Sequence, residues 1–191
     1  MHRRTLGLVI PALEPTTGLL PVGRYTCAGQ EVEDCFVTAA QFSASGTRGD
    51  IWGDWQIAQQ FLQQSVIVHA AWLGGSFTTA KVDPDDIDVT FVVSADDYSA
   101  RPPQDQQVVD LFNTPGHVKA VLGLKVDSYV LPWHRIPALP TMPVHLEYYR
   151  ARGYWDDWWQ RSPIAGKGNP PTPADAVPRR GYLEVLLSGY S

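Results

Sequence analysis

Residues 86 to 93 constrain the fold more than any other part of the chain, because apolar and polar side chains alternate there. The apolar positions are Ile87, Val89, Phe91 and Val93, and the polar positions are Asp86, Asp88 and Thr90. Successive side chains of a β-strand point to opposite faces of the sheet, so this pattern predicts a strand with one buried face and one polar face. Both aspartates lie on the polar face.

Patterns on either side of this strand predict further elements. Apolar residues spaced by one, three and four positions predict an amphipathic helix from about residue 50 to 64. Helices are also predicted over residues 104–112 and 143–160, and strands over residues 66–68, 122–131 and 182–187. A loop is expected over residues 132–143, where prolines resist both helix and central strand, and a mobile segment over residues 162–180.

This order of elements indicates the fold class. Three or more strands interleaved with helices predict an α/β or α+β fold, with helices packed on one face of the sheet. The length of 191 residues and the hydrophobic content of 44% suit a single domain. Residues 1–47 are rich in Gly, Pro and Thr and are expected to form an N-terminal arm, with a short helical turn or docking segment at 31–37, ahead of a domain at 48–191.

Charge and cysteine content exclude several classes. The net charge of −5 means that a polyanion would have to be met by a local basic patch. Cys27 and Cys35 are too few for a disulfide scaffold and lack zinc-site spacing, so both are expected to be reduced. The apolar run from Leu6 to Leu13 is short and contains Pro11, which favours an edge strand over a secretory signal. We expect a cytoplasmic protein with no membrane span.

The two strand aspartates predict a cation site. Side chains at positions i and i+2 of a strand leave the same face with backbones about 6.5 to 7 Å apart. Carboxylates within about 4 Å of each other would repel by about 4 kcal/mol at an effective dielectric near 20, so a positive charge is expected there. Asp83 and Asp85 offer a second register, but Pro84 marks them as turn residues. The alternative is that all of these acids are solvated turn residues.

A glycine turn precedes the acids. Gly74, Gly75 and Ser76 follow the predicted buried strand and lie about ten residues before Asp86. Glycines let backbone N–H groups approach an anion closely, and a serine hydroxyl adds a further donor. By itself the segment is equally consistent with a plain turn, and it is the conjunction with the paired acids that indicates a phosphate site.

The two motifs together resemble a known superfamily. The segment from Trp72 to Phe77, followed by residues 79 to 89, is similar to the Gly-Ser and Asp-x-Asp signature of the DNA polymerase β-like nucleotidyltransferases. More closely, most of the chain resembles a family of small stand-alone bacterial and phage proteins of unknown function within that superfamily. The resemblance implies a mixed sheet of the nucleotidyltransferase type. Residues 77 to 80 depart from the superfamily pattern, in which a further glycine often occurs there.

The resemblance also implies roles for individual residues. In the superfamily the Gly-Ser turn holds a triphosphate, which assigns nucleotide binding to Gly74, Gly75 and Ser76. The strand aspartates bind metal, which assigns Mg²⁺ or Mn²⁺ to Asp86 and Asp88. A third carboxylate from a neighbouring strand activates the attacking hydroxyl, and Asp127 matches it as a base or second-metal ligand. Lys81 is expected to touch the triphosphate, with a surface charge as the alternative.

These roles imply several candidate functions. The first is an enzyme that transfers a nucleoside monophosphate from a nucleoside triphosphate to a hydroxyl of a protein or an RNA. The second is a catalytically inactive binding protein of the same fold, acting as an antitoxin, immunity or defence partner. The third is a nucleotide sensor without turnover. Fold alone does not choose between them.

Two further groups of residues lie outside these motifs. Trp155, Trp158 and Trp159 cannot all face one core, so at least one is expected to be partly exposed, where it can stack on a base or receive a partner protein. Basic residues of the C-terminal third, among them Arg161 and Arg180, are candidates for binding a triphosphate or RNA, with a solvated surface as the alternative.

Overall fold

A computed structural model describes residues 10–135, 142–164, 169–170 and 172–190. These residues form one mixed sheet of five strands, in the order β1-β5-β2-β3-β4. The strands are β1 (Gly23–Cys27), β2 (Val68–Gly74), β3 (Ile87–Ser94), β4 (Val126–Trp133) and β5 (Gly181–Leu186). The helices are α1 (Gly29–Phe36), α2 (Arg48–Ser65), α3 (Ala95–Ala100), α4 (Pro103–Phe112) and α5 (Pro143–Gln160), and a π-helical segment spans Val118–Leu122.

The strand pairing combines parallel and antiparallel ladders. β2 is central and runs antiparallel to both β3 and β5. The outer pairs, β3 with β4 and β1 with β5, are parallel. A parallel pair needs a crossover connection, which α3, α4 and the π-helical segment provide between β3 and β4. The starts of β3 and β4 therefore lie side by side.

The larger part of the core lies on the first face of the sheet, beneath α1, α2 and α4. Helix α2 buries one stripe of side chains because its apolar residues recur at spacings near one helical turn. That stripe consists of Ile51, Trp52, Trp55, Ala58 and Leu62. From the sheet, Leu73, Val89 and Phe91 pack against it and are fully buried. Each such side chain stabilises the fold by about 1.5 to 3 kcal/mol relative to exposure.

The second face of the sheet is covered by α5. Trp72 of β2 and Tyr182 of β5 are buried there with Tyr148 and Trp159 of α5. The Trp72 indole N–H donates to the buried carboxylate of Glu184 at 3.0 Å. Trp72 and Leu73 are neighbours in sequence but pack on opposite faces, as strand geometry requires.

The predicted α/β class with a mixed sheet in a single domain is confirmed, and α5 adds a layer on the second face. The predicted helices occur with ends displaced by a few residues, and strands overlap the predicted residues 66–68, 86–93, 122–131 and 182–187, with β2 running on to Gly74. The described part of the expected arm, residues 10–47, supplies β1 and α1 to the same sheet and core. The edge strand expected from Leu6 to Leu13 does not form at residues 10–13, and residues 6–9 lie outside the described residues.

The loop predicted at residues 132–143 begins later than expected. β4 continues through Pro132 to Trp133, where Pro132 is opposite Val93. β4 is an edge strand, and proline is tolerated at an edge because one side of the strand needs no backbone donor. Residues 136–141 of that loop, and residues 165–168 and 171 of the expected mobile segment, lie outside the described residues. Among the described helices, none is long and apolar enough to cross a membrane.

Candidate active site

The aspartates predicted from the sequence meet at one end of the sheet. Asp88 and Asp127 are directly opposite each other in the parallel ladder of β3 and β4. Gly74 is opposite Asp88 in the antiparallel ladder of β2 and β3. Adjacent strands are separated by about 4.8 Å, so the acids and the glycine turn occupy one small region. Asp86 immediately precedes β3 and joins this cluster through a shared lysine.

That lysine is Lys119, which lies in the π-helical segment. Its ammonium group donates a hydrogen bond to Asp86 and lies 4.0 Å from Oδ2 of Asp127. Partial burial lowers the pKa of Lys119, but the hydrogen bond to Asp86 and the charges of Asp86, Asp127 and Asp88 outweigh it and raise the pKa. The acidic cluster is therefore neutralised in part by a cation from the chain itself.

The segment before β4 positions Lys119 over the acids. The backbone N–H of Gly116 donates to Oδ1 of Asp127 at 3.1 Å, which fixes the start of this segment at the cluster. Lys119 was not identified from the sequence, where no motif marks it and it lies 33 residues from Asp86. The sequence analysis predicted a positive charge beside the paired carboxylates, but it did not identify Lys119 as the residue that supplies this charge.

The turn after β2 requires glycine at both positions. A Cβ atom on Gly75 would lie 1.6 Å from Oδ2 of Asp88, so the Asp88 carboxylate packs directly on this backbone. Gly75 also has a positive φ of 66°, which side chains other than glycine rarely adopt. A Cβ atom on Gly74 would lie 2.4 Å from the ring of Trp159. Ser76 follows and opens a short 3₁₀ turn, Ser76–Thr78, beside the acids.

Arg180 is only 7% exposed and its side chain contacts this turn. Its guanidinium donates to the carbonyl oxygen of Gly75 at 2.8 Å and to Oγ1 of Thr78 at 2.6 Å. Burial lowers the pKa of Arg180 to about 10, against the opposing effect of the Asp88 charge. The alternative that Arg180 is a solvated surface charge is therefore wrong, because Arg180 is buried and stabilises the turn that carries Ser76.

A second buried arginine, Arg48, organises the loop between the turn and the acids. It is 1% exposed and stacks on the Phe42 ring at 3.7 Å. Burial lowers its pKa to about 10, and the Asp83 charge acts in the opposite direction. The guanidinium donates to backbone carbonyls of residues Phe36, Phe77, Thr79, Lys81 and Val82. This residue was also missed, because a single arginine at a helix start carries no local signal.

The remaining acids and Lys81 make their contacts in the exposed part of the same loop. The ammonium group of Lys81 lies 2.7 Å from Oδ2 of Asp85. Oδ1 of Asp83 accepts hydrogen bonds from Ser45 and Gly46, at 3.1 and 2.9 Å. The structure thus brings together Asp86, Asp88, Asp127 and the glycine turn, whereas the side chain of Lys81, expected at the triphosphate, pairs with Asp85 instead.

Four aromatic side chains form a chain of ring contacts that begins at Tyr129, two residues after Asp127 on β4, and we call them the aromatic wall: Tyr129, Tyr154, Trp155 and Trp158. The ring centroids of Tyr129 and Trp155 are 4.6 Å apart, those of Trp155 and Tyr154 are 5.2 Å apart, and those of Tyr154 and Trp158 are 5.9 Å apart. Tyr154 and Trp158 are 56% and 49% exposed, while Trp159 is buried. The expectation that the tryptophans cannot all be buried is met.

A divalent cation fits the acidic cluster if it takes only part of its ligands from the protein. Mg²⁺ is commonly held by one or two carboxylates and completes its coordination with phosphate oxygens and water. Asp86, Asp88 and Asp127 supply such oxygens, and the position of Lys119 shows that positive charge is accommodated between them. Within the described ranges, no three acidic, histidine or cysteine side chains are arranged as a metal site. The carboxylate oxygens of Asp86, Asp88 and Asp127 are of the type that Mg²⁺ prefers, and a cation at this site stays a prediction.

The fold and site define a mixed-sheet α/β protein with an acidic cluster at one end of the sheet. The chain belongs to a family of unknown function (DUF6932), whose sequence model matches residues 11–185. No curated protein and no solved structure is significantly similar to the chain. The resemblance to nucleotidyltransferases therefore depends on the sequence motif and stays a prediction.

Proposed function

We propose that the protein transfers a nucleoside monophosphate from a nucleoside triphosphate to a hydroxyl of a protein or an RNA, with Mg²⁺ or Mn²⁺ as cofactor. The observation that carries this proposal is the pairing of Asp88 with Asp127 across β3 and β4, directly beside the turn at Gly75. The two carboxylates would bind the metal ion, and the backbone N–H groups of the adjacent glycine turn would bind the phosphates.

In the proposed reaction, the acceptor hydroxyl oxygen attacks the α-phosphorus and the bond to the bridging oxygen breaks, releasing pyrophosphate. Asp86 and Asp88 would hold the divalent metal ion, which would supply positive charge to neutralise the phosphates. Asp127 accepts the hydroxyl proton, while the Ser76 hydroxyl and the backbone of the turn orient the phosphate oxygens. Arg180 keeps that backbone fixed through Gly75 and Thr78.

Lys119 contacts the same carboxylates that would hold a metal ion. Its ammonium group satisfies Asp86 and lies near Asp127, so a metal ion must compete with it for the same oxygens. A triphosphate offers Lys119 an alternative anionic partner. Metal and nucleotide are therefore expected to bind together, each favouring the other. We place the reaction in the cytoplasm, in keeping with the free thiols of Cys27 and Cys35.

The experiment that tests the proposal follows label from the nucleotide to an acceptor. The protein is incubated with each α-³²P-labelled ribonucleoside triphosphate, Mg²⁺ or Mn²⁺, and cell extract. We expect label on protein or RNA with the wild type, and a loss of at least about 100-fold in the Asp86→Asn/Asp88→Asn variant. Asp85→Asn, an exposed acid of the adjacent loop, is the matched control and should keep full transfer. Nuclease and protease digestion then identify the acceptor class.

One observation favours a second candidate, a binding protein without turnover that acts as an antitoxin, immunity or defence partner. Lys119 already neutralises part of the acidic cluster, as expected if no metal were needed. This candidate predicts no pyrophosphate release under any of the conditions above. Equal labelling by wild type and the Asp86→Asn/Asp88→Asn variant would instead contradict the role of the acids.

A further inference from the structure

The aromatic wall begins beside the carboxylates. Tyr129 lies two residues after Asp127 on β4, so the two side chains leave the same face of the sheet. The pKa of Tyr129 is raised by burial and further by the charges of Asp127 and Asp88, which places its hydroxyl within their electrostatic range. The wall then continues outward from Tyr129 through Trp155 to the exposed rings.

The inner part of α5 holds the wall rigidly. Trp159, one helical turn after Trp155, stacks with it at 6.0 Å and donates its indole N–H to Oγ1 of Thr90 at 3.1 Å. Trp159 also packs on Gly74, so α5 is fixed against the strand that leads into the glycine turn. The exposed rings of Tyr154 and Trp158 are therefore presented at a set position relative to the acids.

Exposed aromatic rings that are held in place beside a charged cluster can stack on a nucleobase. Every nucleobase has a flat π-face, and stacking a base on an aromatic side chain is favourable for all bases. A phosphate at the acidic cluster and a base on the wall would belong to the same nucleotide or to neighbouring ones. A protein partner could bind an aromatic surface anywhere on the molecule, so the start of the wall beside the carboxylates favours a nucleotide over a protein.

We propose that the aromatic wall binds a nucleobase, with Tyr154 and Trp158 as the stacking residues, and that this surface determines affinity for the nucleotide or RNA substrate. The inference rests on the proposed function, because it uses the acidic cluster as the phosphate site. Stacking without polar contacts to the base edge implies weak discrimination among the bases.

The test compares ligands with and without a base by isothermal titration calorimetry in the presence of Mg²⁺. The ligands are a nucleoside triphosphate, a short single-stranded oligoribonucleotide, and inorganic tripolyphosphate, which has no base. We expect Trp158→Ala to weaken binding of a base-containing ligand by about 5- to 150-fold and to leave tripolyphosphate affinity unchanged. Trp158→Phe should restore most of the affinity. Loss for the triphosphate assigns the base to the donor, and loss for the oligoribonucleotide assigns it to the acceptor.

Tyr149→Ala is the matched control, since Tyr149 is also exposed on α5 but contacts Tyr148, which lies beside His134 beyond the far end of β4. It should leave all three affinities unchanged. Unchanged binding of both base-containing ligands in Trp158→Ala, or an equal loss for tripolyphosphate, would overturn the role of the wall while leaving the proposed function intact. Failure of the wild type to bind any of these ligands with Mg²⁺ would overturn both.

Discussion

Lys119 places its positive charge beside Asp86 and Asp127, where it reduces the repulsion between the carboxylates. Its ammonium group bonds to Asp86 and is close to Asp127, while Asp88 adds to the local negative potential. At a separation of about 4 Å and an effective dielectric near 20, a unit charge pair interacts by about 4 kcal/mol. Because the Lys119 side chain is 36% exposed, solvent screens part of this attraction; on the proposed function, the lysine would compete with a metal ion for the same oxygens.

Removing Lys119 is expected to strengthen metal binding in the absence of nucleotide. Lys119→Met keeps the apolar stem but removes the competing charge, so we expect the affinity for Mn²⁺ to rise by about tenfold. Electron paramagnetic resonance of free Mn²⁺ measures this directly. Lys125→Met is the control, because Lys125 is exposed and lies 3.8 Å from Asp50 rather than at the cluster. An unchanged or lower affinity in Lys119→Met would show that the lysine does not compete.

At the scale of elements, the sequence predicted what depends on local pattern. Alternation identified β3, and helical spacing identified α2 and α5. The acids and the glycine turn were predicted because spacing within a strand and a turn fixes their relative positions. Lys119 and Arg48 were not predicted. Their partners are distant in sequence and are brought to them by tertiary packing, which a local sequence pattern does not reveal.

Arg48 links α2 to the loop that separates the glycine turn from the acids. The residue is 1% exposed and its guanidinium donates hydrogen bonds to five backbone carbonyls, so removing it leaves those bonds unmade. We expect Arg48→Met to lower the free energy of unfolding by about 3 to 5 kcal/mol, measured by urea denaturation. Arg48→Lys should recover only part of this loss because an ammonium group cannot reproduce the planar fork.

The control for Arg48 is Arg101→Met, which removes a partly exposed ion pair with Asp97 within one helical turn. Such pairs contribute about 0.5 kcal/mol, so this variant should unfold near the wild-type midpoint. If Arg48→Met cost no more than Arg101→Met, the loop would not depend on the buried guanidinium.

At the scale of the whole molecule, the second face of the sheet buries the phenol of Tyr182 beside the Asp156 carboxylate, whereas Tyr190, which is 38% exposed, bonds to Glu184. Burial, and then the hydrogen bond to Asp156, raise the pKa of Tyr182. Burial and the hydrogen bond to Glu184 likewise raise the pKa of Tyr190. Both phenols stay protonated in the folded protein at pH values where an unfolded chain, with an ordinary pKa of 10.0, begins to ionise.

This arrangement predicts alkaline unfolding. Below pH 10 both states keep the phenol protons; above it the unfolded state binds fewer protons, so stability falls as pH rises. The slope is about 1.4 kcal/mol per pH unit for the fully buried Tyr182, and it is smaller for Tyr190, whose 38% exposure lets solvent screen the phenolate. Urea denaturation between pH 8 and 11 should show this fall, and Tyr182→Phe and Tyr190→Phe should each reduce it. Tyr149→Phe, at an exposed position, should not. A pH-independent free energy of unfolding would contradict the burial of Tyr182.

The most direct test of the acidic cluster as a metal-nucleotide site is a Mn²⁺ titration monitored by electron paramagnetic resonance, with and without a nucleoside triphosphate. The wild type and Asp85→Asn should bind Mn²⁺ more tightly when nucleotide and protein are both present than when either is alone. Asp88→Asn and Asp127→Asn should lose that gain, because they remove the two carboxylates that β3 and β4 place side by side. Retention of the full gain in both of these variants, or its loss in Asp85→Asn, would contradict the assignment.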